Sequence, residues 1–131
     1  MEKRGCPFRS LQSEREVGYE RASEPIVRPV LEFAVCRVFA VRGPELWSIT
    51  RGHPSTAFAR QVAMYLAHVA CGLTLTEVGQ IFARDRTTVA HACGVIEDRR
   101  DDPAFDRSLE LLEGVTRFLA PGTAAFRRRL I

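Results

Sequence analysis

The residues of this chain best equipped to touch another molecule lie in one run, Asp85-Arg86-Thr87-Thr88. An arginine fork matches phosphate oxygens or the O6 and N7 edge of guanine, and threonine offers a hydroxyl and a methyl to base edges. Val89, Ala92, Cys93 and Ile96 follow at i, i+3, i+4 and i+7, the spacing of one buried helix face. The run therefore opens a helix, where unpaired N–H groups and the helix dipole favour anions. Asp85 is expected as the N-cap, its carboxylate accepting from first-turn N–H groups. Just upstream, Leu75, Val78, Ile81 and Phe82 mark a shorter amphipathic helix, which Ala83-Arg84 interrupts. A short helix, a tight turn and a second helix with a polar start form the pattern of a helix-turn-helix, whose second helix enters the major groove.

Two other chemistries fit less well. His68, Cys71, His91 and Cys93 are metal-ligand types. His91 and Cys93, however, are two apart on a helix and point in roughly opposite directions, away from any shared tetrahedral centre. A Cys71–His68 pair lacks an orienting third group and an oxyanion site. No catalytic residue, metal or cofactor is expected.

Positioning the polar run takes a packed helical domain. Pro25 suits the first position of a helix. Ile26, Val30, Phe33, Ala34, Cys36, Val38 and Val41 then extend a broad apolar surface to residue 41. Arg42-Gly43-Pro44 ends it. Glu45-Leu46-Trp47 fits a single turn with Trp47 packed inward. Residues 48–55 read as a loop carrying Arg51, and Ser55 or Thr56 is the expected cap of a helix over residues 57–71. Phe58, Val62, Tyr65, Leu66 and Val69 form its apolar face, and Gly72 closes it. Arg60 and Gln61 project from its first turn, where the dipole again favours an anion. Gly94, inside the second helix of the helix-turn-helix, costs about 1 kcal/mol relative to alanine. Asp102 is the expected cap of a last helix over residues 103–119, with Phe105, Leu109, Leu112, Val115 and Phe118 on one face. Pro121-Gly122 stops it.

A chain of 131 residues with 46% apolar content supports one domain with one core. Its formal charge of +3 is compatible with nucleic acid but is shared by many soluble proteins. No apolar run reaches the roughly 18 residues of a membrane span, and the charged N-terminus lacks a signal-peptide core. A cytoplasmic, nucleoid-associated protein without membrane contact is expected. The four cysteines have no paired short spacing and read as free, mostly buried thiols. Residues 1–24 read as a mobile arm, 25–119 as the helical domain and 120–131 as a basic tail with Arg127-Arg128-Arg129.

Three blocks in order carry a family resemblance. They are Phe58-Ala59-Arg60-Gln61-Val62-Ala63-Met64-Tyr65-Leu66, then Leu75-Thr76-Glu77-Val78-Gly79, then Phe82 and Asp85-Arg86-Thr87-Thr88-Val89-Ala90-His91-Ala92-Cys93, with Ile96-Glu97 after them. Together they resemble the C-terminal DNA-binding domain of DnaA, the bacterial chromosomal replication initiator, over roughly residues 30–100. The resemblance implies an all-α, Trp-repressor-like helix-turn-helix bundle of five or six helices that binds short duplex DNA boxes. By position it implies that Arg60, Gln61 and His91 approach the DNA backbone, and that Thr74 and Leu75 meet phosphate through their backbone N–H groups. It further implies that Asp85, Thr87 and Thr88 face bases in the major groove, and that Arg51 takes the place of a minor-groove arginine.

The departures from the family pattern bear on the same face. Arg86 stands where the family has a base-contacting histidine, which favours guanine or phosphate instead. The turn before Arg84 is one glycine shorter. His68 stands at a basic position, and Gly94-Val95 replace a basic pair. Arg51, Arg60, Arg84 and Arg86 against Glu77 and Asp85 leave 4 − 2 = +2 over residues 50–96, a thin cationic face. There is no GxxxxGK[ST] phosphate loop and Lys3 is the only lysine. No nucleotide is therefore expected, and the chain reads as a stand-alone relative of the DNA-binding domain. The expected function is sequence-specific binding of double-stranded DNA, at DnaA-box-like sites, in regulation of replication initiation or of transcription. The alternative is a protein-interaction module with a degenerate DNA face, its partner held by the N-terminal arm or the last helix.

Overall fold

The computed structural model describes residues 17–120, with side chains from Ile26 onward. Within them lie six helices and no strand: α1 Val17–Phe39, α2 Gly43–Leu46, α3 Pro54–Val69, α4 Leu75–Phe82, α5 Arg86–Arg99 and α6 Pro103–Leu119. The all-α expectation holds. Residues 1–16 of the expected arm, Cys6 among them, and the expected tail from residue 121 lie outside the described residues.

Helix α3 touches each of the other five helices. Alanines at 59, 63 and 67 let its neighbours approach, while Val62, Tyr65 and Leu66 fill the remaining space, all six being buried. The helix starts at Pro54, with His53 as N-cap and the Ala57 N–H on the His53 carbonyl at 2.9 Å. Proline is at no disadvantage there, because a first-turn N–H has no intrahelical acceptor. The start therefore lies ahead of the expected Ser55 or Thr56 cap. Thr56 is buried inside the helix, and Arg60 and Gln61 sit in its second turn.

Helix α1 corrects a second expectation. It begins upstream of Pro25 and continues through Pro25 and Pro29, although neither has an N–H for the carbonyl one turn back. It buries Val27, Val30, Leu31, Ala34 and Val35 and leaves Ile26, Phe33 and Val38 about half exposed. Its apolar surface is wider than one helix face, and the core takes the Leu31 side.

Helix α6 begins where expected, with the Ala104 N–H donating to Asp102 at 3.1 Å. Its buried residues are Leu109, Leu112, Glu113 and Thr116, whereas Val115 and Phe118 face out. Both buried polar side chains on this face are satisfied. Thr116 Oγ1 donates to the Leu112 carbonyl at 2.7 Å, so its hydroxyl is satisfied without water. Glu113 accepts from Arg100 Nη1 at 2.8 Å. Arg100 also donates to the Tyr65 hydroxyl and to Asp106, and Tyr65 donates to Glu97. This network ties α3, α5 and α6 together.

Candidate nucleic-acid interface

The helix-turn-helix consists of α4, a turn over residues 83–85, and α5. Helix α4 opens on a reciprocal capping box: the Glu77 N–H donates to Thr74 Oγ1 at 3.1 Å and the Thr74 N–H donates to Glu77 Oε1 at 2.9 Å. The Thr74 N–H expected to meet phosphate is thus already engaged, because Glu77 folds back onto it. Leu75 is buried and offers only its backbone N–H, a first-turn donor with no acceptor inside the helix. The other Glu77 carboxylate oxygen is buried with no hydrogen-bond partner.

Helix α4 ends on Ala83 in the left-handed conformation (φ 57, ψ 48), and the N–H groups of Ala83 and Arg84 both reach the Gly79 carbonyl. A Cβ at Gly79 would collide with the Arg84 carbonyl oxygen. The tightness of the turn therefore depends on glycine at 79.

Asp85 follows as N-cap of α5 by its backbone, φ −67 and ψ 153, and its carbonyl accepts from the Val89 N–H at 3.1 Å. Its carboxylate makes no capping bond, contrary to expectation. It stays exposed together with Arg86, Thr87, Thr88 and His91. An exposed carboxylate at this position can accept from an amino group such as cytosine N4. Val89, Ala92, Cys93 and Ile96 form the buried face that their spacing requires, with Gly94 also buried.

Arg60 is placed differently from the sequence expectation. It is only 3% exposed. Its Nε donates to the Leu46 carbonyl at 2.9 Å, Nη1 to the Arg51 carbonyl at 3.2 Å and Nη2 to the Glu45 carbonyl at 2.8 Å. A guanidinium so engaged is a brace for the loop and is not presented to a phosphate. Burial, reinforced by the positive charges of Arg84 and Arg51, holds its pKa below the usual arginine value. Arg51 is exposed and Gln61, beside Arg60 on α3, is half-buried.

Arg84 received no role of its own from its sequence position, and the structure supplies one. Nη1 donates to the Phe82 carbonyl at 2.7 Å, and Nη2 to the Ser48 and Ile49 carbonyls at 3.2 and 3.1 Å. Behind the same loop, the Trp47 indole N–H donates to Glu32 at 2.7 Å, and the Trp47 ring packs against Phe82 and has the Arg28 guanidinium 4.2 Å from its centre. Arg28 Nη1 in turn donates to the Ile81 carbonyl at 3.2 Å. The Arg51 loop, the turn and the start of α5 are thereby tied together. Thr74 and Leu75 stand at the opposite end of α4, about 12 Å along the helix axis.

Among the described residues no group of three or more His, Cys, Asp or Glu is placed to hold a metal ion, and no helix is long and apolar enough to cross a membrane. His68 Nδ1 lies 2.7 Å from the Leu73 carbonyl. The Cys71 thiol is pushed up to about 12 by burial.

A family profile described as the bacterial dnaA protein helix-turn-helix matches residues 31–96. The chain is 36% identical over 76 residues to the chromosomal replication initiator protein DnaA of Lachnoclostridium phytofermentans, covering 56% of this chain and 17% of that protein. The DnaA of Symbiobacterium thermophilum is 45% identical over 60 residues, 44% of this chain and 13% of its own length. A crystal structure of a DNA replication initiation factor superposes with a TM-score of 0.66 at 30% identity, covering 82% of this chain and 32% of that one. The chain thus spans a minor part of the length of each of these proteins.

Proposed function

This chain belongs to the family of the bacterial DnaA helix-turn-helix, whose pattern it carries over residues 31–96, and from that premise we propose that it binds double-stranded DNA in a sequence-specific manner. In this proposal the start of α5 enters the major groove, with Asp85, Arg86, Thr87 and Thr88 toward base edges. Arg51 reaches the adjoining minor groove. Gln61, His91 and the Leu75 N–H approach the backbone. The targets are DnaA-box-like sites, and the role is regulation of replication initiation or of transcription at the nucleoid.

One observation carries most of the weight. Four consecutive polar residues and His91 are exposed on a helix whose opposite face is packed, directly after a turn that is itself tied to the Arg51 loop. A solvated helix start needs no such bracing.

The cationic face is thin, and its salt dependence should be shallow. The two cationic side chains presented by this face, Arg51 and Arg86, give a slope near −2 in log K against log salt, a loss of roughly 10- to 15-fold between 50 and 200 mM. Binding of labelled duplexes carrying DnaA-type boxes across that range tests the proposal. The Thr87→Ala/Thr88→Ala variant is expected to weaken specific binding by roughly 10- to 100-fold while leaving the melting temperature unchanged, because both side chains are exposed. No shift at low salt, or a variant indistinguishable from wild type on any duplex, would sink it.

The alternative of a protein-interaction module that has lost DNA binding has one observation in its favour. An open apolar groove between α1 and α6, of about 480 Å³, is lined by Phe33, Leu111, Val115 and Phe118 among others. It requires the absence of salt-dependent duplex binding, so the same titration separates the two.

A further inference from the structure

The loop over residues 45–51 is anchored at its start, where Leu46 is buried and Trp47 packs on Phe82 and donates to Glu32, and beyond them it has little of its own to hold it. Past α2 its internal bonds are the Ser48 N–H on the Glu45 carbonyl at 3.3 Å and the Ser48–Thr50 pair, whose hydroxyls lie 3.0 Å apart with the Thr50 N–H on Ser48 Oγ. Ile49 is 76% exposed, so no apolar side chain anchors the tip. Its remaining fixed points are backbone carbonyls. Those of residues 45, 46 and 51 accept from Arg60, and those of 48 and 49 accept from Arg84. Arg84 grips the Phe82 carbonyl at the same time, three residues before the N-cap of α5.

We infer that Arg60 and Arg84 are positioning residues that lock the Arg51 loop to the turn of the helix-turn-helix, so that Arg51 and the start of α5 meet a duplex at one fixed spacing. This rests on the DNA-binding proposal above and adds to it how two reading elements, distant in the chain, are held in register. A loop ordered only on binding subtracts its ordering entropy from affinity, whereas a loop held in advance does not. The chemistry calls for arginine in particular. A planar fork with five donors can serve three carbonyls at once, and a single ammonium on a flexible stem cannot hold them in that geometry. Three guanidinium groups gathered here repel one another, and the carbonyl dipoles offset part of that repulsion.

The test uses the full chain and a duplex enriched by the wild type from a random library. Arg51→Ala is expected to weaken binding roughly tenfold and to flatten the preference at the base pairs on the Arg51 side. Arg84→Gln is expected to do the same at the same base pairs, keeping the preference at those facing Thr87 and Thr88. The double variant should lose no more than Arg51→Ala alone, within about twofold. Arg84→Lys should fail to restore the preference. Multiplied losses, or restoration by lysine, would mean that Arg84 touches phosphate as a point charge and would overturn the inference. A second measurement guards against a variant that merely unfolds. In Arg84→Lys without DNA, amide exchange over residues 48–51 should accelerate while α3 and α5 stay protected; unchanged exchange there also overturns it. A wild-type chain that enriches no duplex removes the DNA-binding proposal, and the role of the clamp with it. That outcome differs from multiplied losses on a duplex the wild type does enrich.

Discussion

The two ends of this molecule are built by opposite means. At the end formed by α4, the turn and the Arg51 loop, the exposed side chains are mostly polar, Ile49 apart, and the backbone beneath them is held by bonds from Arg60, Arg84 and Arg28. At the seam between α1 and α6 the exposed residues are mostly apolar, Glu110 apart, with Leu111 72% and Phe118 81% accessible, and the helices meet through packing. At the first end, side chains fix a turn and a loop that have no regular hydrogen-bond ladder. At the second, regular helices carry their own ladders and the side chains left over are free to vary. Substitutions should therefore be felt sharply at the first end and weakly at the second.

The sharpest expected contrast begins at Gly79. Helix propensity alone would make Gly79→Ala stabilising by about 1 kcal/mol. Here the new methyl meets the Arg84 carbonyl, a backbone atom that cannot swing aside. The turn must open, and with it the Arg84 bonds to residues 48 and 49. Urea unfolding should show a loss of roughly 3 kcal/mol, accompanied by loss of duplex binding. A neutral or stabilising result would mean that the turn is looser than its bonds imply, and the comparison would fail at its strongest point.

Arg100 tests the boundary between the two ends, since its network reaches from α3 and α5 to α6. Arg100→Met removes the donor to buried Glu113 and one of the two partners of the Tyr65 hydroxyl, which keeps Glu97. A loss of about 2 kcal/mol is expected, below the range for fully buried pairs because Arg100 is partly solvated. Adding Glu113→Gln should return a good part of it by removing the stranded charge. If the double variant is worse than the single one, Glu113 has support other than Arg100.

The core that both ends share should register alkaline pH. Burial raises the Cys71 thiol to about 12 from an ordinary value of 9.0, and the Tyr65 phenol is raised too, again mainly by burial. The unfolded chain gives up the thiol proton first. Stability should therefore be full below about pH 9 and fall as pH climbs toward 12, by roughly 1 kcal/mol per unit for the thiol. Thermal melts at stepped pH should show the slope, and Cys71→Ala should flatten it.

What could be read in the sequence follows the same division. The buried face of α5, the cap at Asp102 and the exposed Arg86-Thr87-Thr88 were all legible, because each depends on spacing within a few residues. Arg60 was not. Its acceptors are carbonyls 9 to 15 residues away, and no periodicity says which carbonyl a guanidinium will find. Arg84, reaching back 35 and 36 residues, was hidden for the same reason. The rotation of α6 was missed on different grounds. Val115 and Phe118 are more apolar than Thr116 and Glu113, and the partner that draws Glu113 inward, Arg100, lies outside the helix, while Thr116 is satisfied by the Leu112 carbonyl.

The smallest expected effect is the mirror image of the first. Gly114 also lies within a helix, on the exposed wall of the α1/α6 groove, and a Cβ built there meets nothing within 4 Å. With no neighbour to displace, only the backbone entropy of the unfolded chain and helix propensity remain, and both favour alanine. Gly114→Ala should raise stability by up to about 1 kcal/mol and leave duplex affinity within twofold of wild type. Gly79→Ala and Gly114→Ala make the same chemical change in the same kind of element, so opposite signs in one urea series would isolate the surroundings as the cause. A destabilising Gly114→Ala would show that the groove wall is as constrained as the turn, and the division between a bonded end and a packed end would have to be redrawn.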